Sequence, residues 1–421
     1  MTEPPDAPRP VPEDVRRTVE AVWRIEGARV VATLAKVTGD LGLAEDLAQE
    51  AVVEGLAHWP ESGVPRNAGA WLTAVARRRA VDAWRRRARL DERHQAMARD
   101  LDMVDDADWE PLEDDVLRLV FTACHPALSR ESQVALTLRV VAGLTTEEIA
   151  RLMLVPVPTA QQRIVRAKKT LAAARVPFEA PGEDAWGARL GTVLSVVSLL
   201  FTEGYAATAG DRWVRADLAN EALRLGRVLA GLLPREPEVH GLVALMELQA
   251  SRFGARTAPD GTPILLADQD RSRWDHAQVR RGRAALARAD ALGRGRGSYA
   301  LQAAIAECHA VAPSVAETDW EHIVVLYEAL GRVAPSPVVD LNHAVAVSQA
   351  SGPADALAMV DHLVAERALR GSYLLPSVRG ELLVQVGRTE EARAELLAAA
   401  DLTPHAQTAS VLRRKAAALD E

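Results

Sequence analysis

The chain lacks most of the features that mark an enzyme or a secreted protein. It has two cysteines in 421 residues, Cys124 and Cys308, far apart in sequence. Neither a disulfide framework nor a cysteine-based zinc site is expected from such a pair. Ten histidines are scattered, and no His-Glu-x-x-His, P-loop or Gly-x-Ser-x-Gly pattern occurs. Cys124 and His125 are adjacent, but Pro126 follows and no third group is evident, so a structural thiol is expected. No enzyme, catalytic residue, metal or cofactor is therefore expected. The opening MTEPPDAPRPVP is proline-rich and without the apolar core of a signal peptide. The most apolar run, Leu190 to Phe201, is too short for a bilayer and includes Gly191, Ser195 and Ser198. A cytoplasmic protein with no membrane partner is the expectation. The formal net charge of −8 excludes a uniformly basic nucleic-acid binder, so DNA contact has to come from local patches.

Such a patch is present. Leu144 to Lys169, LTTEEIARLMLVPVPTAQQRIVRAKK, reads as two short helices across a tight turn. Thr145 and Glu148 fit a capping box, with Leu144 stapled onto Ile149. Pro156-Val157-Pro158 breaks the first helix. The second puts Gln161, Gln162, Arg163, Arg166, Lys168 and Lys169 outward and keeps Ala160, Ile164, Ala167 and Leu171 for its inner face. A short capped helix, a turn and a Gln/Arg-bearing helix make a helix-turn-helix, whose second helix enters the DNA major groove. Gln161 or Gln162 suits adenine and Arg163 suits guanine, while Arg166, Lys168 and Lys169 suit phosphate.

Composition divides the rest. Residues 1–12 read as a disordered arm, and 13–92 as a helical domain ending in an arginine-dense run. Eight arginines fall between Arg77 and Arg93. The sign then reverses, with nine acidic residues and no basic one from Asp100 to Asp115. Residues 93–112 therefore read as a solvated, self-repelling linker. Residues 113–176 form a second helical unit containing the helix-turn-helix. After the Pro177–Pro181 boundary, residues 182–421 read as helices separated by Gly/Pro turns, without period-2 alternation. Near the end SGPADALAMVDHLVAE and VGRTEEARAELLAAADLTP share a Gly turn before an Ala/Leu-rich helix, 35 residues apart at Gly352 and Gly387. That spacing suits tetratricopeptide-like hairpins. The fold class is all-α and multidomain.

In the first domain, DLGLAEDLAQE opens a helix at Asp40. Leu43, Ala44, Leu47, Ala48, Ala51, Val52 and Gly55 form its inner stripe, and Glu45, Asp46, Gln49, Glu50 and Glu54 an acidic outer one. A loop from Pro60 to Gly69 precedes a long helix, Ala70 to Arg86, with Trp71, Arg77, Arg78, Arg79, Trp84, Arg85 and Arg86. Aromatic rings stack flipped bases and arginines follow phosphates, so these residue types suit holding DNA single-stranded. For Trp71 the flanking Leu72 and Val75 favour a core anchor instead.

An acidic helix, an arginine/tryptophan helix, an acidic linker and a helix-turn-helix, in that order, resemble the sigma factors of bacterial RNA polymerase. The likeness is to the extracytoplasmic-function group, which has only the second and fourth sigma regions. It implies that Asp40, Glu45, Asp46, Gln49 and Glu50 bind the clamp of the largest polymerase subunit. It implies that Trp71, Arg77–Arg79, Trp84, Arg85 and Arg86 melt and read the −10 element. Thr159, Gln161, Gln162, Arg163, Arg166, Lys168 and Lys169 would then read the −35 element. FTACHPAL at Phe121, FTEGY at Phe201, DQDRSRW at Asp268 and TDW at Thr318 resemble the subgroup with a long tetratricopeptide-like C-terminal extension. The expected partners are core RNA polymerase, promoter DNA and a regulatory protein at the extension. The sequence departs from the family where Arg78 replaces a usual Asn, and where Leu154 and Pro158 replace glycines around the turn. Pro156 replaces a usual Ser cap, so the second helix should begin without a side-chain cap. Two other readings stand beside this one: a helix-turn-helix regulator with a helical-repeat sensor that never joins polymerase, and a helical-repeat scaffold. The DQDRSRW motif is expected to order its own loop by pairing its Asp and Arg groups.

Overall fold

The computed structural model describes residues 13–87, 113–153, 155–205, 216–258, 264, 266–403 and 406–419. The expected arm, the acidic linker, Leu154 and the side chains of Trp84, Arg85 and Arg86 lie outside the described residues. Among the described residues, helices and short 3₁₀ turns make up the regular structure, and there is no strand. The chain divides into two compact units, Met1–Val196 and Val197–Glu421.

The first unit begins with α1 (Glu13–Thr38), α2 (Leu41–Ser62) and α3 (Ala68–Arg87). These three pack on one another around Trp23, Val30, Leu34, Leu47, Trp59, Leu72 and Val75. Asp40 starts α2 by accepting from the amides of Gly42 (2.7 Å) and Leu43 (3.1 Å), which satisfies donors a helix start otherwise leaves open. The α2–α3 loop is shorter than predicted. Pro60 sits inside α2, which continues to Ser62 and stops at Gly63, whose φ of 77° is accessible to glycine without strain.

Helices α4 (Glu113–Ala123), α5 (Arg130–Val140), α6 (Thr146–Leu152) and α7 (Val157–Ala173) complete the helix-turn-helix module. α5 is buried nearly all round, from Ser132 to Leu138, as suits the central helix of a small bundle. Helix α8 (Glu183–Tyr205) follows. Its first half falls in the first unit and its second half in the second. The reason is local: Trp186 packs against Phe121 at 5.1 Å, and Arg189 donates to the Phe121 carbonyl at 2.7 Å. The apolar stretch is also longer than Leu190–Phe201. Glu183–Thr202, with mean hydropathy 1.4, is long and apolar enough by composition to cross a bilayer. Its Leu190, Val193, Leu194, Val196, Val197, Leu200 and Phe201 are buried within the protein.

The second unit holds α9 (Ala216–Leu232), α10 (Pro237–Ala250), α11 (His276–Ala291), α12 (Ser298–Val311), α13 (Trp320–Val333), α14 (Pro337–Ala350), α15 (Pro353–Ala365), α16 (Leu374–Gln385), α17 (Thr389–Leu402) and α18 (Ala406–Ala417). Most pack chiefly on their sequence neighbours, the arrangement of stacked hairpins, while α12 packs chiefly on α10. Gly352 and Gly387, the two glycines of the repeat, both take positive φ just ahead of α15 and α17. Close crossings rest on glycine as well. A Cβ on Gly241 would stand 2.6 Å from the backbone nitrogen of Ala300, and one on Gly380 would stand 2.9 Å from Leu396 Cγ.

Candidate nucleic-acid interface

The helix-turn-helix is assembled by the capping the sequence predicts. Thr145 Oγ1 accepts from the Glu148 amide at 3.2 Å, and Glu148 Oε2 accepts from the Thr145 amide at 2.9 Å. Helix α7 starts at Pro156 without a side-chain cap, and Pro158 occupies its first turn, where no amide bond is lost. Ala160, Ile164, Ala167 and Leu171 are its buried face. Gln161, Gln162, Val165, Arg166 and Lys169 line a shallow open groove on the other side, while Thr159 and Arg163 are half-buried. Two amides and two cations on an exposed helix face have the chemistry for base edges and phosphates.

Lys168 does not join that face. Its side chain is 16% exposed and turns back to α2, where its ammonium meets Asp46 Oδ1 at 2.9 Å and also binds Glu45. Glu45, predicted on the outer stripe, is 4% exposed and accepts from Arg139 Nε of α5 at 2.7 Å. Burial alone would raise the Glu45 carboxyl, but Arg139 and Lys168 outweigh it and hold it below its ordinary value. Arg139 also donates to the Leu144 carbonyl at 3.2 Å, directly before the capping box. The inner stripe of α2 is correspondingly different: Glu45 is buried, while Leu43 and Val52 are only half-buried.

Further ties join the first three helices to the module. Arg24 of α1 reaches Glu148 Oε1 at 2.6 Å, so the capping carboxylate serves the helix start with one oxygen and α1 with the other. Lys36 meets Asp115 at 3.3 Å, and Arg118 meets it at 2.7 Å. Sequence reading missed Arg139 and Arg24. A lone arginine in the apolar run VALTLRV was the available signal for Arg139, since a cation there needs a buried partner.

On α3, Trp71 is half-buried and lies edge-on to Trp59, with centroids 5.3 Å apart at 62°. That geometry is an aromatic core contact. Arg78 is exposed and Arg77 half-buried. Arg79 binds Glu50 at 2.9 Å and Glu54 at 2.7 Å across α2, which raises its pKa, mainly through the Glu54 bond. Gln49 is half-buried, and Asp40 is engaged in its cap. Cys124 is buried against Thr137 Oγ1 at 3.4 Å, and burial pushes its thiol up to about 11, which keeps it protonated at neutral pH.

Known proteins match the chain in the same order. The family model for Sigma-70 region 2 covers residues 23–90, and that for Sigma-70 region 4 covers 118–171. A family of unknown function (DUF6596) covers 189–290. An uncharacterized protein of Rhizobium meliloti is 43% identical over 399 residues, 91% of this chain and 92% of that one. The probable ECF RNA polymerase sigma factor SigI of Mycobacterium tuberculosis is 29% identical over 164 residues, 38% of this chain and 56% of that protein. No solved structure matches. Region 2, region 4 and a long further segment thus occur in one chain, with polymerase core and promoter DNA as the partners those regions imply. The chain belongs to the extracytoplasmic-function sigma factors of bacterial RNA polymerase, as an alternative sigma factor with a C-terminal extension.

Proposed function

We propose that the exposed groove of α7 docks at the −35 element and the arginine face of α3 opens the −10 element, while α2 seats the protein on the polymerase clamp. Gln161, Gln162, Arg166 and Lys169 carry the first role, with Thr159 and Arg163 at its edge. Arg77, Arg78, Arg79, Trp84, Arg85 and Arg86 carry the second, and Trp71 anchors their helix against Trp59. Asp40, Asp46, Gln49 and Glu50 carry the third. The observation that supports this most directly is the capped helix-turn-helix with its polar outer face free of the bundle.

The packing of α7 onto α2 adds a step. Elements centred at −35 and −10 lie about 25 base pairs apart, roughly 85 Å at 3.4 Å per pair. Lys168 and Asp46 are 2.9 Å apart. The two modules therefore separate before both elements are engaged, releasing Glu45 to the clamp and Lys168 to phosphate. Polymerase, itself present in the cytoplasm, supplies the binding energy for that separation. The extension regulates the process, by internal contact or by receiving a protein signal.

Run-off transcription with purified core polymerase tests the reading. Discrete new transcripts from candidate promoters are expected, and their loss on substituting Asp46 and Gln49 together is expected with core binding lost. Core binding that survives both substitutions overturns the docking assignment. For the extension, a chain ending after Tyr205 keeps Trp186 and Arg189 against Phe121. Unchanged promoter-dependent output from that chain overturns a regulatory role.

A further inference from the structure

Four of the seven buried polar atoms without a partner among the described residues belong to the DQDRSRW motif and to His309, near the end of the helix that Arg271 reaches. They are Gln269 Oε1, Arg271 Nη2, Trp274 Nε1 and His309 Nδ1. Buried polar groups are nearly always satisfied, so a cluster of exceptions asks for a ligand or ordered solvent. The DQDRSRW motif supplies three of the four, and its expected internal Asp–Arg pairing is not what organises it. Asp270 instead caps the Arg271–Arg273 turn through the Ser272 amide at 2.9 Å and hydroxyl at 2.6 Å. Arg271 reaches away from the turn and donates through Nη1 to the carbonyls of His309 and Ala312, closing the end of α12.

The surroundings are cationic. The Arg271 guanidinium stands 5.0 Å from the Trp274 ring centroid, and that of Arg252 stands 5.8 Å from the same ring. Burial, then the neighbouring Arg252, lowers the Arg271 pKa, against a weaker pull from Glu317. Burial, then the two arginines, pushes His309 down to about 4, so the imidazole is neutral at physiological pH. Its ring is fixed edge-on to Trp320 at 5.2 Å, and Trp320 is itself anchored to the Val315 carbonyl at 3.1 Å. Gln269 and Trp274 are 9% and 4% exposed. The Gln269 amide nitrogen is committed to the Ile264 carbonyl at 3.1 Å, which defines the orphaned atom as an acceptor.

Unused N–H donors beside two guanidiniums favour an oxyanion. The unused Gln269 acceptor requires that the same ligand also carry a hydrogen-bond donor, and the neutral His309 Nδ1 takes whichever role its tautomer leaves. We propose that Arg271, Trp274, His309 and Gln269 form a binding site for a small oxyanion bearing an O–H or N–H donor, a hydroxy-carboxylate or a hydrogen phosphate. Such a ligand satisfies all four orphaned atoms at once, and it supplies a chemical input to the extension whatever promoter the protein serves.

Calorimetric titration of the full-length protein tests this, with L-malate, succinate and inorganic phosphate as probes and sodium chloride at matched ionic strength as the control. Saturable one-site binding of malate or phosphate is expected, and the tighter of the two identifies the source of the oxyanion. Succinate, which lacks the hydroxyl, should bind about tenfold more weakly than malate, the scale of one lost hydrogen bond. Trp274→Phe keeps an aromatic ring beside the arginines and removes the N–H together with the five-membered ring of the indole. It should weaken binding several-fold in a protein that stays folded at the assay temperature, with a lower melting temperature from the volume lost at this buried position. Arg271→Gln should abolish binding, and Trp274→Phe decides the matter if that variant unfolds. Heats matched by sodium chloride, no saturation by any probe, or wild-type affinity in Trp274→Phe overturns the site and leaves the orphaned atoms to bound water.

Discussion

Lys168 of the recognition helix and Glu45 of the acidic helix form an ion pair beneath the surface, with Arg139 completing it from the other side. Two residues expected to face different macromolecules thus face each other. A carboxylate with 4% of its side chain exposed is tolerable only because two cations and their hydrogen bonds replace its water. The same arrangement makes the pair sensitive to losing any one member.

Glu45→Gln leaves Arg139 and Lys168 without their shared counter-charge. Breaking a buried pair by removing one partner costs about 3 kcal/mol or more. Urea unfolding of the full chain should show the first unit destabilised by that order, and dyes on α2 and α7 should report a longer distance. An unaltered distance together with unaltered stability would mean that the pair does not hold the modules together.

Thr145→Ala removes one bond of the capping box while leaving Glu148 its contact with Arg24. A lost N-cap costs about 1 kcal/mol. The expected result is a small fall in stability with weaker promoter binding whose salt slope is unchanged, since no phosphate contact is removed. A changed slope, measured by binding at several salt concentrations, would point to Thr145 touching DNA itself.

Gly241→Ala places a methyl group 2.6 Å from the backbone nitrogen of Ala300, where α10 crosses α12. Backbone cannot swing aside as a side-chain tip can, so the helices have to part. Overpacking of this kind costs about 1–3 kcal/mol. Thermal unfolding should register it in the extension, whereas Gly191→Ala, which meets nothing within 4 Å, should be neutral or slightly stabilising.

Acid should weaken the two units through different groups. His309 has its pKa lowered to about 4 from 6.5 by burial and by Arg252 and Arg271. The unfolded chain takes up that proton first, so stability is full above pH 6.5 and falls between 6.5 and about 4, by about 3 kcal/mol. Glu45 behaves as a lowered carboxylate: its contribution is present above 4.5 and is lost as pH falls through its depressed value. Stability curves measured against pH should show the extension softening between 6.5 and about 4, a window in which the first unit also loses some stability through His125, whose pKa burial and Arg189 lower. His309→Gln should flatten the extension's upper window and leave the lower one in place.

Local features set their own geometry because the interactions behind them span only a few residues. The capping box at Thr145–Glu148, the uncapped start at Pro156, the buried stripe Ala160–Ile164–Ala167–Leu171 and the positive-φ glycines of the repeat follow from neighbours along one turn. Their order along the chain also carried the sigma-factor reading. Facing was legible only where a helix has one partner. Helix α2 has α1 and α3 on one side and α7 on another, so its acidic stripe is divided between solvent and two sets of cations.

What the chain alone determined is thus its all-helical character, the helix-turn-helix and the family, since periodicity, capping and motif order are local properties. Tertiary structure alone decided that Glu45 and Lys168 face inward, that Arg79 is held by Glu50 and Glu54, that the first half of α8 belongs with Phe121, and that DQDRSRW brings its orphaned atoms beside His309. A charged side chain at helical spacing looks the same in sequence whether it meets water or a partner 123 residues away. Only the packing of distant helices removes the water and selects the partner.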